Sequence, residues 1–381
     1  MGEHNEGKWL YFAGFRSVGC GFLSLLCRSW LLVVGLSLSL GCQAASVVFL
    51  NPGRSNEPYW VSYTHFMQAA AGDLGMPLRV LYAERDPQRS LQQARELLRD
   101  GQLPDYLVFT NEGYIGPELL RLFADTPVRL FAVNNMLTTD QQRIVGGSRE
   151  RYRNWIGSLV ANEEEAGYLM AHGLLQAGAA AGRGLDLLAF SGLAQAPVAQ
   201  LREQGMRRAL ADFPRARLLQ VVYGGWDRQR AYEQAQQLLR RYPQVRLVWS
   251  ANDEMAFGAM KAAREAGRVP GRDMLFSGLN NSPELLSAVI DGSISVAMSG
   301  HFTLGGWAMV LLHDYDAGVD FAAHGGKDRQ LPVFILLDKR RAQKLRANLA
   351  RPGYGLDFRD FSLALHPKQK AYRFSLQPLL D

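Results

Sequence analysis

Amides, carboxylates and aromatic rings recur at one kind of position in this 381-residue chain, immediately after short apolar runs. The run at 47–50 is followed by the stretch Asn51 to Trp60, which includes Ser55 and the adjacent rings Tyr59 and Trp60. Later runs are followed by Asn111 with Glu112, Asn134 with Asn135, Ser191, Trp226 with Asp227, Asn252 with Asp253, Asn280 with Asn281, and Gly300 with His301. Side-chain amides donate and accept hydrogen bonds at once, as the hydroxyls of a polyol require. Flat rings present their faces to the C–H side of a sugar while polar groups bond around its rim. Taken singly, each residue has a plainer role: Asn and Asp cap helices and fill loops in any α/β protein, and Asp253 and Asn281 are placed to do so. Their recurrence is what predicts a site for a small neutral sugar or polyol.

Other chemistries find little support. There is no Walker-type phosphate loop, since "GLLQAGAAAGRG" lacks both the Lys-Ser/Thr ending and a preceding strand. The nucleophile elbow Gly-x-Ser-x-Gly is missing, and "GGSRE" fails at its last position. The seven histidines are dispersed without metal-ligand spacing. Glycoside hydrolysis needs two opposed carboxylates; Asp227 and Asp253 lie in the same half of the chain, leaving Glu57 as the other available acid. His301 reads as a hydrogen-bonding group rather than a base. The expectation is a binding protein, not an enzyme, with no cofactor and no metal. The net charge of +6 is scattered, with short basic knots at 240–242 and 338–344 and no long run of one sign, which excludes nucleic acid as the expected partner.

The elements that must position these residues alternate. From Val47 onward apolar runs of four to seven residues precede segments with helical periodicity: 60–74, the helix ending at Gly101, and "PELLRLFADT" in the first half. A helix containing "ANEEEAGYLMAHGLL" is predicted between Gly157 and Gly178, acidic in its first turn as a helix start prefers. The alternation then restarts at "LDLLAFSG" and continues to "ISVAMSG". Crossovers of this length imply parallel sheets with helices on both faces, and in such sheets ligands sit beyond the carboxyl ends of the strands. The fold class is therefore α/β, two doubly wound parallel-sheet lobes joined by a three-crossing hinge near 157–162, 299–303 and 332–336. The first lobe takes residues 46–160 plus 303–335, the second 161–302, and 336–381 form a C-terminal extension that either wraps the lobes or meets a partner.

Residues 1–45 read as an export signal: Arg28, an apolar stretch from Leu31 to Leu40, then small residues. Two processing routes stay open, cleavage near Ala44 or Ala45, or lipid attachment at Cys42 after "SLGC". All three cysteines (Cys20, Cys27, Cys42) lie here, so no disulfide or thiolate metal site is expected in the body. The expected location is the periplasm.

The motifs also carry a likeness. "NEPYW", the stretch "GGWDRQRAYEQAQQLLRRYPQVRLVWSANDEMAFGAMKAAREAG" and "FSGLNNSPELLSAVIDGSISVAMS" resemble the type I periplasmic sugar-binding proteins of the ribose and galactose group, over roughly residues 46–335. The resemblance implies a ring sandwich of Trp60 (with Tyr59) and Trp226, a ligand arginine at Arg202, and ligand amides at Asn252 and Asn280. Asn134 and Asn135 stand where that family carries an Asp-Arg pair, a departure from the ribose pattern. Gly300, with His301 beside it, occupies the family's last hinge-strand position. In the first lobe, "PGRSNEPYWVSY", "PDYLVFTNEGY" and "VNNMLTTDQQRIVGG" look like the autoinducer-2 receptor of the LuxP type, which would make Ser55, Trp60 and Asn135 ligand contacts. The resemblance implies a monomer that closes on its ligand and presents it to an ABC permease, or alternatively to a membrane sensor such as a histidine kinase or cyclase.

Overall fold

The structure, a computed structural model, describes residues 45–381. The expected export signal and the Cys42 anchor lie outside the described residues.

In chain order the strands are β1 (Val47–Asn51), β2 (Leu78–Tyr82), β3 (Tyr106–Phe109), β4 (Arg129–Val133), β5 (Trp155–Ala161), β6 (Asp186–Ser191), β7 (Arg217–Tyr223), β8 (Leu247–Ser250), β9 (Leu275–Leu279), β10 (Val296–Ser299), β11 (Asp328–Leu331) and β12 (Ile335–Leu336). They form two six-stranded sheets, ordered β11-β5-β4-β3-β1-β2 and β12-β10-β9-β8-β6-β7. All pairings in the first sheet are parallel. Only β12, antiparallel to β10, departs from that in the second. Strands such as β1 and β3 are buried at every position, which is why they read as unbroken apolar runs: helices cover both faces of the sheet. Each sheet with its helices makes a lobe, and the chain passes between lobes three times, between β5 and β6, β10 and β11, and β11 and β12.

Three local readings are corrected. Trp155–Ala161 is a fully buried strand that the sequence reading did not list, and the helix expected between Gly157 and Gly178 runs Glu163–Ala180, with Asn162 accepting the Glu165 N–H as its cap. Helix Thr139–Val145 was not anticipated, although Thr138 and Gln141 form a reciprocal capping box whose Thr-x-x-Gln spacing is legible. The first-lobe return expected through 335 ends at Leu331, because Ile335 and Leu336 pair with β10 in the second sheet.

The C-terminal segment touches both lobes. Helix Lys339–Leu349 packs on helix Pro283–Asp291 of the second lobe. The chain then crosses to the first lobe, where the Phe358 N–H donates to Asp73 at 2.9 Å and the Leu363 N–H to Asp314 at 2.6 Å. There Phe374 stacks on Trp307 at 5.1 Å and 15°. Finally it returns: Asn348 donates to the Leu379 carbonyl at 3.1 Å and Lys344 to that of Asp381 at 2.8 Å. Among the described residues no helix is long and apolar enough to cross a membrane.

Candidate functional site

A small cavity lies between the lobes, where the carboxyl ends of the two sheets face each other. The first lobe contributes Glu57, Tyr59, Trp60, Arg85, Glu112 and Asn134; the second contributes Val198, Arg202, Trp226, Asn252 and Asn280. His301, just past β10 at the second crossing, closes the hinge side.

Pro58 opens helix Pro58–Asp73, its fixed φ suiting the first turn, and this delivers Tyr59 and Trp60 to the cavity. The rings meet edge-on at 4.8 Å, and Tyr59 stacks on His301 at 4.4 Å and 14°. The Tyr59 hydroxyl donates to Asn134 Oδ1 at 2.8 Å. Burial holds the Tyr59 pKa well above the ordinary value, so the hydroxyl keeps its proton. Burial, and then the nearby Arg202 charge, hold His301 neutral. Each indole lies on a glycine. A Cβ at Gly53 would stand 2.0 Å from the Trp60 ring, and one at Gly192 would stand 2.1 Å from that of Trp226. No larger residue could occupy either position without moving the ring.

Several cavity residues hold backbone conformations that L-residues rarely adopt: Asn134 at φ 64°, Arg85 at 65°, Trp226 at 65° and Asn280 at 151°. Such strain costs about 1–3 kcal/mol per residue and persists where the surroundings enforce it, as they do at binding sites.

Two guanidinium groups enter the cavity wall, each already paired. Arg85 donates from Nε to Glu57 at 2.9 Å, from Nη1 to Glu112 at 2.8 Å, and from Nη2 to the other Glu57 oxygen. Burial opposes this charge, but Glu112 and Glu57 raise the Arg85 pKa overall. Arg202 donates from Nε to Glu163 at 2.6 Å and from Nη1 to the Ala251 carbonyl at 2.8 Å, and its cation stands 5.7 Å from the Trp226 ring. Asn252 caps the next helix through Oδ1 while its Nδ2 donates to the Trp226 carbonyl. Asn280 donates to Asp253 at 2.5 Å, which sets Asp253 behind the wall rather than in it. Of the residues lining the cavity, Trp60 Nε1 and His301 Nδ1 are buried without a hydrogen-bond partner among the described residues.

Of the residues singled out from sequence, the structure brings Tyr59, Trp60, Asn134, Arg202, Trp226, Asn252, Asn280 and His301 to this one cavity. Two do not line it. Ser55 is exposed, and its backbone N–H is bonded to Glu84. Asn135 is buried, but its amide is engaged elsewhere, donating to Glu112 and accepting from Val198 of the other lobe. These are two of the three contacts inferred from the LuxP likeness. Arg85 went unremarked because the loop after β2, "AERDPQ", looks like an ordinary solvated charge cluster; the strand-end rule, applied to that loop too, would have named it. Glu163 was read only as the acidic first turn of a helix. No group of His, Cys, Asp and Glu side chains among the described residues is arranged to hold a metal ion.

Comparison with known proteins agrees with this architecture. A family model described as a periplasmic binding protein domain matches residues 156–318. A crystal structure of a periplasmic sugar-binding protein from Pseudomonas fluorescens is 55% identical, with a TM-score of 0.81 over 88% of this chain and 100% of that one. The ribose import binding protein RbsB of Escherichia coli K12 is 24% identical over 266 residues, 69% of this chain and 82% of its own. The galactofuranose-binding protein YtfQ of the same strain is 25% identical over 161 residues, 42% of this chain and 48% of its own. These relatives are binding proteins, not enzymes.

Proposed function

The chain belongs to the type I periplasmic sugar-binding proteins of the ribose and galactose type, and on that premise we propose that it captures a small uncharged sugar between its lobes and presents it to an ABC importer. The observation that carries this reading is that Trp60 and Trp226, from opposite lobes, line one cavity together with Asn134, Asn252 and Asn280. Indole faces cover the apolar side of a sugar ring, and amides bond its hydroxyls in either sense. The partnership with an importer is supported by the name of the ribose relative.

Capture works by hinge closure. A sugar touching both lobes binds only the form in which they meet, so its differential affinity sets how far the equilibrium moves. Interlobe bonds already define that form: Asn281 donates to Ser62 at 2.6 Å and Gln200 to the Tyr114 hydroxyl at 3.3 Å. A thermal-shift screen over pentoses, hexoses and inositols, in pyranose and furanose forms, tests the reading, since a ligand specific to the folded state raises the midpoint. At least one sugar raises it in the wild type, and Trp226→Ala, at a half-buried position, removes the rise while leaving the protein folded. A rise of full size in Trp226→Ala would refute the site, and turnover of the sugar would refute the binding role.

A further inference from the structure

We propose that Arg85 is the ligand-orienting residue of the first lobe, and that its pairing with Glu57 and Glu112 makes the site select uncharged sugars over the corresponding sugar acids, an inference that rests on the sugar reading above. The loop that carries Arg85 is built to hold it still. Glu84 and Arg85 both take left-handed backbone conformations, at φ 55° and 65°, which two consecutive non-glycine residues seldom do. Their N–H groups donate to the carbonyls of Gly53 at 3.0 Å and Pro52 at 2.9 Å. The turn after β2 is thus tied to the turn that leads into Tyr59 and Trp60. Strained, multiply tied turns of this kind cluster where a ligand is gripped.

The guanidinium is as constrained as its backbone. Glu57 takes Nε and Nη2, Glu112 takes one N–H of Nη1, and the side chain is only 14% exposed. The planar fork leaves one N–H each on Nη1 and Nη2 without a partner among the described residues. The group lines the cavity, with its carbon 6.0 Å from the Trp60 ring. Two fixed donors in the cavity wall suit adjacent hydroxyls of a bound sugar.

Charge then decides between sugars. The cavity and the groups bonded directly to its guanidinium ions hold three carboxylates, Glu57, Glu112 and Glu163, against two cations, Arg85 and Arg202, both already paired. Asp253 adds a further carboxyl behind Asn280. Among the described residues lining the cavity there is no lysine and no third arginine. A carboxylate or phosphate on the sugar would be buried against this excess without a cation to receive it. A hydroxyl makes no such demand and accepts from the charged donor directly.

The test is isothermal titration of wild type, Arg85→Lys, Arg85→Ala and Glu112→Gln with three matched probe pairs: D-ribose and D-ribonate, L-arabinose and L-arabinonate, D-galactose and D-galacturonate. Wild type binds the neutral member of at least one pair, at least tenfold tighter than its acid. Arg85→Lys keeps a cation between the two carboxylates but loses the fork. It melts close to wild type without sugar and binds the neutral probe about tenfold or more weakly. Glu112→Gln narrows the ratio of neutral to acid affinity, a change that a purely structural role would not produce because it would weaken both probes alike. Neutral-probe affinity at the wild-type level in Arg85→Lys, or in a folded Arg85→Ala, overturns the proposal and leaves the sugar site standing. A wild-type preference for the acid overturns it as well. Silence of wild type toward every probe overturns this proposal, while the sugar reading itself stands or falls on the wider thermal-shift panel.

Discussion

The carboxamide oxygen of Asn135, in the first lobe, accepts the backbone N–H of Val198, in the second, at 3.2 Å. Val198 is the second residue of helix Pro197–Ala211, whose own N-cap, Ala196, offers no side-chain acceptor. An orphan donor of one lobe's helix is therefore capped from the other lobe. The same amide donates to Glu112 at 3.2 Å, and Glu112 in turn holds Arg85. Contact between the lobes and the shape of the cavity wall are joined by one chain of hydrogen bonds.

Replacing Asn135 with alanine removes a cap that exists only when the lobes meet. Loss of a capping side chain costs about 1 kcal/mol, here charged to the closed form alone. The sugar identified by screening should bind Asn135→Ala about fivefold more weakly, while the sugar-free protein melts near the wild-type midpoint. Titration calorimetry decides, and wild-type affinity in the variant would show that the contact has no part in closure.

Gly192 is the floor under Trp226, and a valine there would drive the ring out of place. Because Trp226 is only half-buried, the ring can move without breaking the core. Gly192→Val should keep its circular dichroism spectrum and lose sugar binding by more than tenfold. Gly53→Ala strikes the buried Trp60 instead, and overpacking of that kind costs about 1–3 kcal/mol, so it should also lower the melting point.

Asp253 should give stability a measurable pH slope. Burial pushes its carboxyl up to about 6, against the pull of Ser282 and Asn280, from about 3.9 in the unfolded chain. A raised native value means the folded state holds the proton more tightly. Its contribution to stability is fully present below pH ~4 and is lost as pH rises through about 6, on the order of 3 kcal/mol in total. Urea unfolding at pH 4.5 and pH 7 should show Asp253→Asn less sensitive to that change than wild type. Equal sensitivity would mean that the carboxyl titrates normally.

Phe374 tests the C-terminal segment. Its ring is 7% exposed and stacked on the wholly buried Trp307. Phe374→Ala should cost about 3 kcal/mol of unfolding free energy and leave sugar affinity at 25 °C unchanged, because neither ring lines the cavity. A loss below 1 kcal/mol would place this segment outside the cooperative fold.

Much of the site was legible because α/β alternation fixes where loops fall, and the strand-end rule then selects residues without any knowledge of side-chain direction. Trp60, Trp226, Asn252 and Asn280 follow from that alone, whereas Arg202, inside helix Pro197–Ala211, came only with the family likeness. What the rule cannot read is what a side chain does once it arrives. Asn134 and Asn135 are adjacent amides on one loop, yet one faces the cavity and the other bridges the lobes, a difference set by the left-handed backbone at Asn134. Arg85 was hidden for a related reason, because its meaning depends on Glu57 and Glu112, 28 and 27 residues away. The strand Trp155–Ala161 went unlisted because its apolar run leads straight into a helix start, with no turn residues to set it apart.

The last residues of the chain, anchored on helix Lys339–Leu349, laid across the first lobe at Phe358 to Phe374, and fastened back to that helix at Leu379 and Asp381, have a mechanical consequence. They form a strap from the second lobe across the first and back, beside the three crossings of the main chain. If the lobes part as proposed, this strap must slacken or strain with them, which ties its length to the extent of opening.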